Sequence, residues 1–341
     1  MTPEAAPPIH AVFQGFRNAL AVAEAFAGAT APNPPVGCVV LDAAGAVLAT
    51  AAHEKAGSAH AEAAALAICR EAGVFDRIHT LLVTLEPCNH HGRTPPCVEA
   101  ILTSPAQAIW IAARDPNPAV TGGGASRLLA EGRRVIDLQT LDHPEAADLT
   151  RRAQRLISPF VSWSTRGRPW LTLKQALTRD HAMIPPLGAK TFTSTESLTV
   201  AHGLRRRADA IITGSGTVLA DRPLFTVRRV PDPRQTPRRL AILDRRRRTP
   251  LDYLQDARAR GFEPSLHDDI PALLEELAAS DVLEALVECG PSLLTAFLEA
   301  DHWDEHVVIR QAVRTGQADQ IETITRIAAR ASRSADVFRN H

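Results

Sequence analysis

Cysteine is scarce. Five residues in 341, Cys38, Cys69, Cys88, Cys97 and Cys289, are too few and odd in number for a disulfide framework. That usage fits a reducing cytoplasm, where grouped Cys and His point to metal binding or catalysis. Charge of one sign is also missing. Lys plus Arg number 38 and Asp plus Glu number 38, so no global field favours nucleic acid or an anionic membrane. No apolar run approaches the roughly 20 residues of a membrane span; the Ala-rich stretch from Ala19 to Ala31 is broken by Glu24. Met1 to His10 lacks the basic-then-apolar order of a signal peptide. Internal repeats and low-complexity segments are absent too. What remains is an ordinary globular composition, 45% apolar and 22% charged, on a chain long enough for two cores.

Strand and helix signals alternate through the first half. Asn18 to Ala27 reads as a helix, and Val36 to Leu41 with Ala46 to Ala51 as a hairpin turning at Asp42 to Gly45. Ala61, Ala64, Ala65 and Ile68 recur at i, i+3, i+4 and i+7, so His60 to Arg70 reads as a helix. His79 to Leu85 is strand-like. Pro95 to Leu102 suits a helix with Thr94 as N-cap and Pro95 in first place. A strand over Ala108 to Ala112, a helix over Gly122 to Glu131 and a strand over Arg133 to Asp137 follow. The order implies an α/β/α sandwich around a mixed sheet. Gln139 to Arg168 loses strand character and holds a polar helix, and then Ser164 to Pro169 reads as an interdomain junction. Alternation then resumes: strands at Pro169 to Ala176, Ala208 to Thr213, Arg239 to Asp244 and Ala285 to Glu288, with helices at Ser197 to Arg207, Pro271 to Ala279 and Ser292 to Ala300. The expected domains cover residues 9–150 and 165–341. The last 25 or so residues are polar and lack a core pattern.

Three features converge on a metal. His60-Ala-Glu62 opens a helix, Glu86-Pro-Cys88 ends a strand, and Cys97 lies in the first turn of a later helix. One imidazole and two thiolates are a good donor set for Zn²⁺, with a fourth position open to a water whose pKa falls to about 7. A helix N-terminus also favours the thiolate of Cys97. Side chains at i and i+2 of a regular helix do not face each other. His60 should therefore sit at the cap, outside helical geometry, so that Glu62 can move protons at the same centre. The pattern is that of zinc nucleobase deaminases, H-x-E…P-C-x-x-C, except that eight residues separate Cys88 from Cys97. A structural zinc would want a fourth protein ligand, which His90 or His91 could supply. Cys38 and Cys69 read as small core hydrophobes.

The segments Asn33-Pro-Pro-Val-Gly37, His53, Gly57-Ser-Ala-His-Ala-Glu62, Thr84-Leu-Glu-Pro-Cys88, the insert through Cys97, and Asp115-Pro-Asn-Pro118 resemble the bifunctional deaminase/reductase family of riboflavin biosynthesis. The resemblance implies a cytidine-deaminase-like domain acting on a pyrimidinone that carries a ribosylamino 5-phosphate. It puts Asn33 and His53 on the pyrimidine, and Asn89, His90, Arg93, Asp115 and Asn117 around the substrate. Arg93 has the chemistry to pair with a phosphate, while Asn33 alone reads as a turn residue before Pro34.

The second half is similar to that family's reductase domain, a dihydrofolate-reductase-like fold using NADPH. The matching stretches are Lys174 to Asp180, His202-Gly-Leu-Arg205, Ala208 to Asp221, Pro223 to Arg228, Asp244, and Glu288-Cys-Gly-Pro-Ser-Leu-Leu294. By carry-over, Ala176, Thr217, Asp221 and the turn Gly290, Pro291, Ser292, Leu293 and Leu294 contact NADPH, and Arg205, Arg228 and Glu288 contact the ribosyl-phosphate substrate. Gly290-Pro291, leading from a strand into a helix, also suits a pyrophosphate. Arg245 to Arg248 reads either as a solvated turn or as a grip on the NADPH 2′-phosphate.

The chain departs from the family at His181, where glycine is usual, at Ala189 and Thr191, after Arg310, and between Asp244 and Glu288, which looks shortened. Four readings follow: a bifunctional enzyme; a deaminase whose second half is a degenerate scaffold or dimerisation module; a nucleic-acid base deaminase; and a non-catalytic zinc module. Zero net charge and the phosphate-suited insert disfavour the third, and a zinc module would leave Glu62 without a role. A small-molecule partner is expected, with no nucleic acid and no membrane, and a homo-oligomer stays open.

Overall fold

The computed structural model describes residues 6–90, 95–115, 123–184, 191–313 and 317–326. The chain forms two compact units that meet between Arg166 and Gly167.

The first unit runs α1 (Ile9–Ala25), β1 (Gly37–Leu41), β2 (Val47–Ala52), α2 (Ala61–Glu71), β3 (Thr80–Val83), α3 (Cys97–Leu102), β4 (Ala108–Ile111), α4 (Gly123–Ala130), β5 (Arg134–Asp137), α5 (Pro144–Leu156) and α6 (Ser158–Arg166). Its five strands lie in the order β2-β1-β3-β4-β5. β1 is antiparallel to both β2 and β3, whereas β3, β4 and β5 are parallel. β1 is buried at all five positions because helices cover both faces. Cys38 and Val40 pack on one side with Ala61, Ala65 and Leu66 of α2, Val98 and Ile101 of α3, and Leu128 of α4. Val39 and Leu41 pack on the other with Phe16 and Leu20 of α1 and Leu149 of α5. This two-residue alternation under two helical layers is the expected α/β/α sandwich.

Several boundaries differ from the sequence expectation. α1 begins at Ile9, not Asn18. Gly15, which weakens the helix signal there, lies where a Cβ would come within 2.3 Å of Leu82 Cδ1, so its absent side chain lets the helix approach the sheet. α3 begins at Cys97 with Pro96 as N-cap, two residues later than expected; Thr94 lies outside the described residues. The polar helix expected between Gln139 and Arg168 is present as α5, followed by α6.

The second unit runs β6 (Trp170–Leu177), α7 (Thr195–Arg207), β7 (Ala210–Gly214), α8 (Ser215–Asp221), β8 (Arg238–Leu243), α9 (Leu251–Ala259), β9 (Phe262–His267), α10 (Ile270–Ala279), β10 (Glu284–Val287), α11 (Pro291–Glu299), β11 (Glu305–Arg310) and β12 (Gln320–Thr325). The sheet order is β12-β11-β6-β10-β7-β8-β9, parallel except for the edge strand β12. Ile211, Leu240, Ile242 and Leu286 face Tyr253 and Ala257 of α9. Ala210, Ile212, Ala241 and Val287 face Leu273 and Leu277 of α10 and Phe297 of α11. The segment between Asp244 and Glu288 thus holds a helix, an edge strand, a second helix and the inner strand β10. His181 stands in the left-handed region, at φ 61°. That conformation accounts for a glycine being favoured there.

Ions line the floor of this sheet, where β6, β10 and β11 begin. Arg207 Nε donates to Glu284 Oε1 at 2.8 Å, and its Nη2 donates to Glu305. Thr172 Oγ1 donates to the same Glu284 oxygen at 3.0 Å. Asp304 takes both Nη atoms of Arg168 at 2.7 Å and the Leu171 amide at 3.0 Å. Asp209 pairs with Arg234 and accepts the amides of Leu283 and Glu284 at 2.9 and 3.0 Å. Each buried carboxylate is thereby bonded, as burial of charge requires.

Close backbone packing predicts opposite outcomes at two glycines. A Cβ on Gly37 would lie 2.0 Å from the Ala19 carbonyl oxygen, so Gly37→Ala must push α1 off the sheet. It should cost about 1–3 kcal/mol or more. Gly203, inside α7, has open space at its Cβ position; Gly203→Ala should gain about 0.5–1 kcal/mol. Urea unfolding of the full-length variants checks both signs.

Candidate active sites

In the first unit, His60 is the N-cap of α2 at φ −69° and ψ 160°, an extended backbone, and Glu62 lies inside the first turn. That break in geometry lets both side chains reach one point. His60 Nδ1 lies 3.2 Å from Cys97 Sγ and 3.6 Å from Cys88 Sγ. A tetrahedral ion with bonds of about 2.0–2.3 Å would hold a nitrogen and a sulfur ligand about 3.5 Å apart. The three donor atoms fall within 4.8 Å of one another, the one such group among the described residues. They fit zinc with one position open. His90 is exposed and is not in that group; His91 lies outside the described residues.

The sulfurs are held from the backbone outward. The Cys97 amide donates to Cys88 Sγ at 3.3 Å, and Cys97 Sγ donates to Glu62 Oε2 at 3.3 Å. The hydrogen bond from Cys97, helped by His60, outweighs burial and brings the Cys88 thiol down to about 4. The same bond, with burial, pushes Cys97 up. The contact with Cys88 raises His60. Burial first, and the charge of Cys88 second, raise the Glu62 carboxyl, as suits a group that must hold a proton in transit.

A second pair stands beside the ligands. The His53 and His60 rings meet edge to face at 5.1 Å. His53 Nδ1 lies 3.1 Å from the Ala59 carbonyl oxygen, which can only accept, so the proton is on Nδ1. His53 Nε2 then accepts from Asn33 Nδ2 at 3.0 Å, leaving Asn33 Oδ1 turned away from the pair. Burial lowers the His53 pKa and keeps the ring neutral. Asn89 and His90 are exposed on the loop after Cys88, and Asp115 is half-buried. Arg93 and Asn117 lie outside the described residues.

Sequence reading passed over Glu86. It is 5% exposed and accepts the Ala125 amide at 3.0 Å and the Asp115 amide at 3.4 Å, tying the end of β3 to the start of α4. Gly124 permits this approach, since a Cβ there would come within 1.8 Å of the Pro87 carbonyl oxygen. The Gly-Gly pair at 123–124 was the available signal.

In the second unit, Arg205 meets Glu288 and Thr217 meets Gly290 just past the ends of β7 and β10. Arg205 Nε and Nη2 grip Glu288 at 2.6 and 2.8 Å, and Lys174 Nζ lies 3.6 Å from the same carboxylate. Burial alone would raise Glu288, but Arg205 and Lys174 outweigh it and hold the carboxyl at about 2. Arg228 is exposed. The Gly290 amide donates to Thr217 Oγ1 at 3.0 Å, and a Cβ on Gly214 would lie 3.2 Å from Leu293. No side chain caps α11, whose first turn holds Pro291 and Ser292, so its amides suit a phosphate. Ala176 on β6 is half-buried against the core. Leu294 packs its side chain into the core, so any cofactor contact is through its backbone. Asp221 is exposed at the end of α8. Arg245 to Arg248 are all exposed; Arg247 pairs with Asp268 at 3.1 Å, and Arg248 donates to Ser215 Oγ at 3.1 Å.

Comparison with known proteins assigns the family. The cytidine and deoxycytidylate deaminase zinc-binding region matches residues 14–113, and the RibD C-terminal domain matches residues 169–327. A riboflavin biosynthesis protein RibD from Aquifex aeolicus is 35% identical over 313 residues, covering 85% of this chain and 84% of that protein. The chain belongs to the RibD family. Its counterpart in Escherichia coli is 32% identical, with 85% of each chain covered. Among solved structures, Acinetobacter baumannii RibD is 29% identical with a TM-score of 0.75, covering 92% of this chain and 90% of that one. A diaminohydroxyphosphoribosylaminopyrimidine deaminase/5-amino-6-(5-phosphoribosylamino)uracil reductase from Thermotoga maritima is 28% identical with a TM-score of 0.74, covering 91% and 89%. Membership makes the chain a riboflavin-biosynthesis enzyme with a zinc deaminase domain and a RibD reductase domain. No helix among the described residues is long and apolar enough to cross a membrane.

The geometry separates two roles at the first site. Cys97→Ala should weaken zinc binding by more than about 100-fold, beyond the cost of losing a mere supporting partner of a ligand. Glu62→Gln should leave zinc content near that of the wild type. Metal analysis after dialysis against a chelator distinguishes them. In the second unit, the depressed Glu288 pKa stabilises the fold fully above about 4.5, and that stability is lost as pH falls toward about 2. The stability advantage of wild type over Glu288→Gln should be constant above pH 4.5 and shrink below it, in denaturant titrations run across that range.

Proposed function

We propose that His60, Cys88 and Cys97 hold zinc while Glu62 shuttles protons in the hydrolytic deamination of 2,5-diamino-6-(5-phosphoribosylamino)pyrimidin-4-one. The second unit then reduces the ribosyl chain of the resulting 5-amino-6-(5-phosphoribosylamino)uracil. The observation that carries the reading is the meeting of three metal donors and a buried Glu62, whose carboxyl burial pushes up, beside the Asn33–His53 pair. Bound zinc supplies a nucleophile from water at neutral pH. Glu62 takes the proton of the attacking water and returns it to the amine as the C–N bond breaks and ammonia leaves. Neutral His53 fixes Asn33, whose Oδ1 accepts from the pyrimidine edge. Asn89, His90, Arg93, Asp115 and Asn117 complete the substrate pocket, with Arg93 on the phosphate.

NADPH, when bound, supplies the hydride that opens the ribosyl ring to a ribityl chain. Thr217, Asp221 and the Gly290 to Leu294 turn, with Ala176, hold it. Arg205 is engaged by Glu288 through two of its nitrogens, so it fixes that carboxylate for the ribosyl hydroxyls. Exposed Arg228 meets the 5-phosphate. The substrate is a small molecule rather than a polynucleotide, in keeping with the zero net charge, and the sparse, unpaired cysteines fit the cytoplasm.

Incubating the zinc-loaded enzyme with the diamino substrate, with and without NADPH, tests both halves. Ammonia should appear in both samples and the ribityl product only with NADPH. Glu62→Gln should cut ammonia release by about 10²–10⁴-fold. Ammonia without reduction would overturn the second half and favour a scaffold role for that unit.

A further inference from the structure

The loop after α8 is irregular and held in costly backbone. Arg222 and Phe225 both stand in the left-handed region, at φ 42° and 55°. Such positions persist only where the surroundings over-determine them. Some fastenings are plain: Tyr253 Oη donates to the Pro223 carbonyl at 2.7 Å, and Phe225 is 3% exposed beneath the Arg205 guanidinium. The far end of the loop is tied to α7. Arg205 Nη1 lies 3.5 Å from the Thr226 carbonyl, and the Arg228 amide donates to His202 Nδ1 at 2.9 Å. His202 and Arg205 are three residues apart and share a face of α7.

We infer that His202 is a positioning residue of the reductase, holding the backbone of Arg228 so that its guanidinium meets the substrate phosphate. This rests on the reading of Arg228 as a phosphate contact. His202 is 4% exposed, on the buried face of α7 with Ala201 and Leu204. The groups facing it are Arg205 on its own helix, Arg228 and Arg229 on the loop, and Glu288 at the end of β10. Burial and the three arginines bring its pKa down to about 4, so the ring is neutral at neutral pH and Nδ1 is a lone-pair acceptor. A cation could not accept the Arg228 amide. An imidazole surrounded by guanidinium groups thus serves as a fixed acceptor.

The test compares His202→Phe, which keeps a ring and removes the acceptor, with His202→Asn, whose Oδ1 stands where Nδ1 did. Arg228→Met is the reference. Steady-state reduction of 5-amino-6-(5-phosphoribosylamino)uracil gives kcat and KM, NADPH titration gives cofactor affinity, and ammonia release reports the other unit. His202→Phe should raise KM for the pyrimidine about tenfold, the size of one lost buried hydrogen bond. NADPH affinity and deamination should stay within about twofold, well inside that margin. His202→Asn should recover most of the loss, and Arg228→Met should raise KM at least as far as His202→Phe. An unchanged KM in His202→Phe, beside a raised KM in Arg228→Met, overturns the inference alone. An unchanged KM in Arg228→Met overturns the reading beneath it and the inference together. Parallel loss of NADPH affinity in His202→Phe, or an Asn variant no better than Phe, would show a merely structural role and also overturn it.

Discussion

His60 stays in extended backbone at the moment α2 begins, and two residues later Glu62 is helical. Had residue 60 been inside the helix, its imidazole and the Glu62 carboxylate would point about 200° apart around the axis. One residue of non-helical geometry therefore brings a metal ligand and a proton carrier to the same point. The rest of the first unit supports that point from outside. β1 and β3 form the central strands, α2 and α3 pack on one face, and Glu86 and Gly124 lock the strand end that carries Cys88 against α4.

The second unit solves a similar problem with charge in place of a metal. Glu288 lies at the end of a fully buried strand, where an unpaired carboxylate would be driven to protonate. Two contacts from Arg205 and one from Lys174 keep it ionised. Arg205 is thereby taken up by a carboxylate, whereas the Arg228 guanidinium donates to the Thr226 hydroxyl. Arg205 and Arg228 look alike in the sequence, and only their partners separate them.

Both sheets were legible wherever short apolar runs stood between turn residues, as in Cys38 to Leu41 and Ala210 to Thr213. The metal ligands were legible because thiolates and imidazole at element ends have few other uses. Legibility failed where polar residues are buried by partners a sequence cannot show. β11 begins with Glu305 and ends with Arg310, and its first residue is inside because Arg207 reaches it. β9 carries a proline and a serine on an edge strand, and α9 is short and polar outside Tyr253, Leu254 and Ala257. His202 stood within a matching motif but had no role until the structure showed whose amide it accepts.

β10 carries one carboxylate at its start and another just past its end. Glu284 belongs to the ionic floor and Glu288 to the cleft, about 13 Å apart along four residues of strand. That spacing exceeds the roughly 10 Å over which mutational effects couple. The two ends are joined instead through α7, where Arg207 grips Glu284 and Arg205, two residues away, grips Glu288. A shift of that helix therefore reaches both carboxylates at once, whereas the strand between them holds only apolar side chains after Glu284.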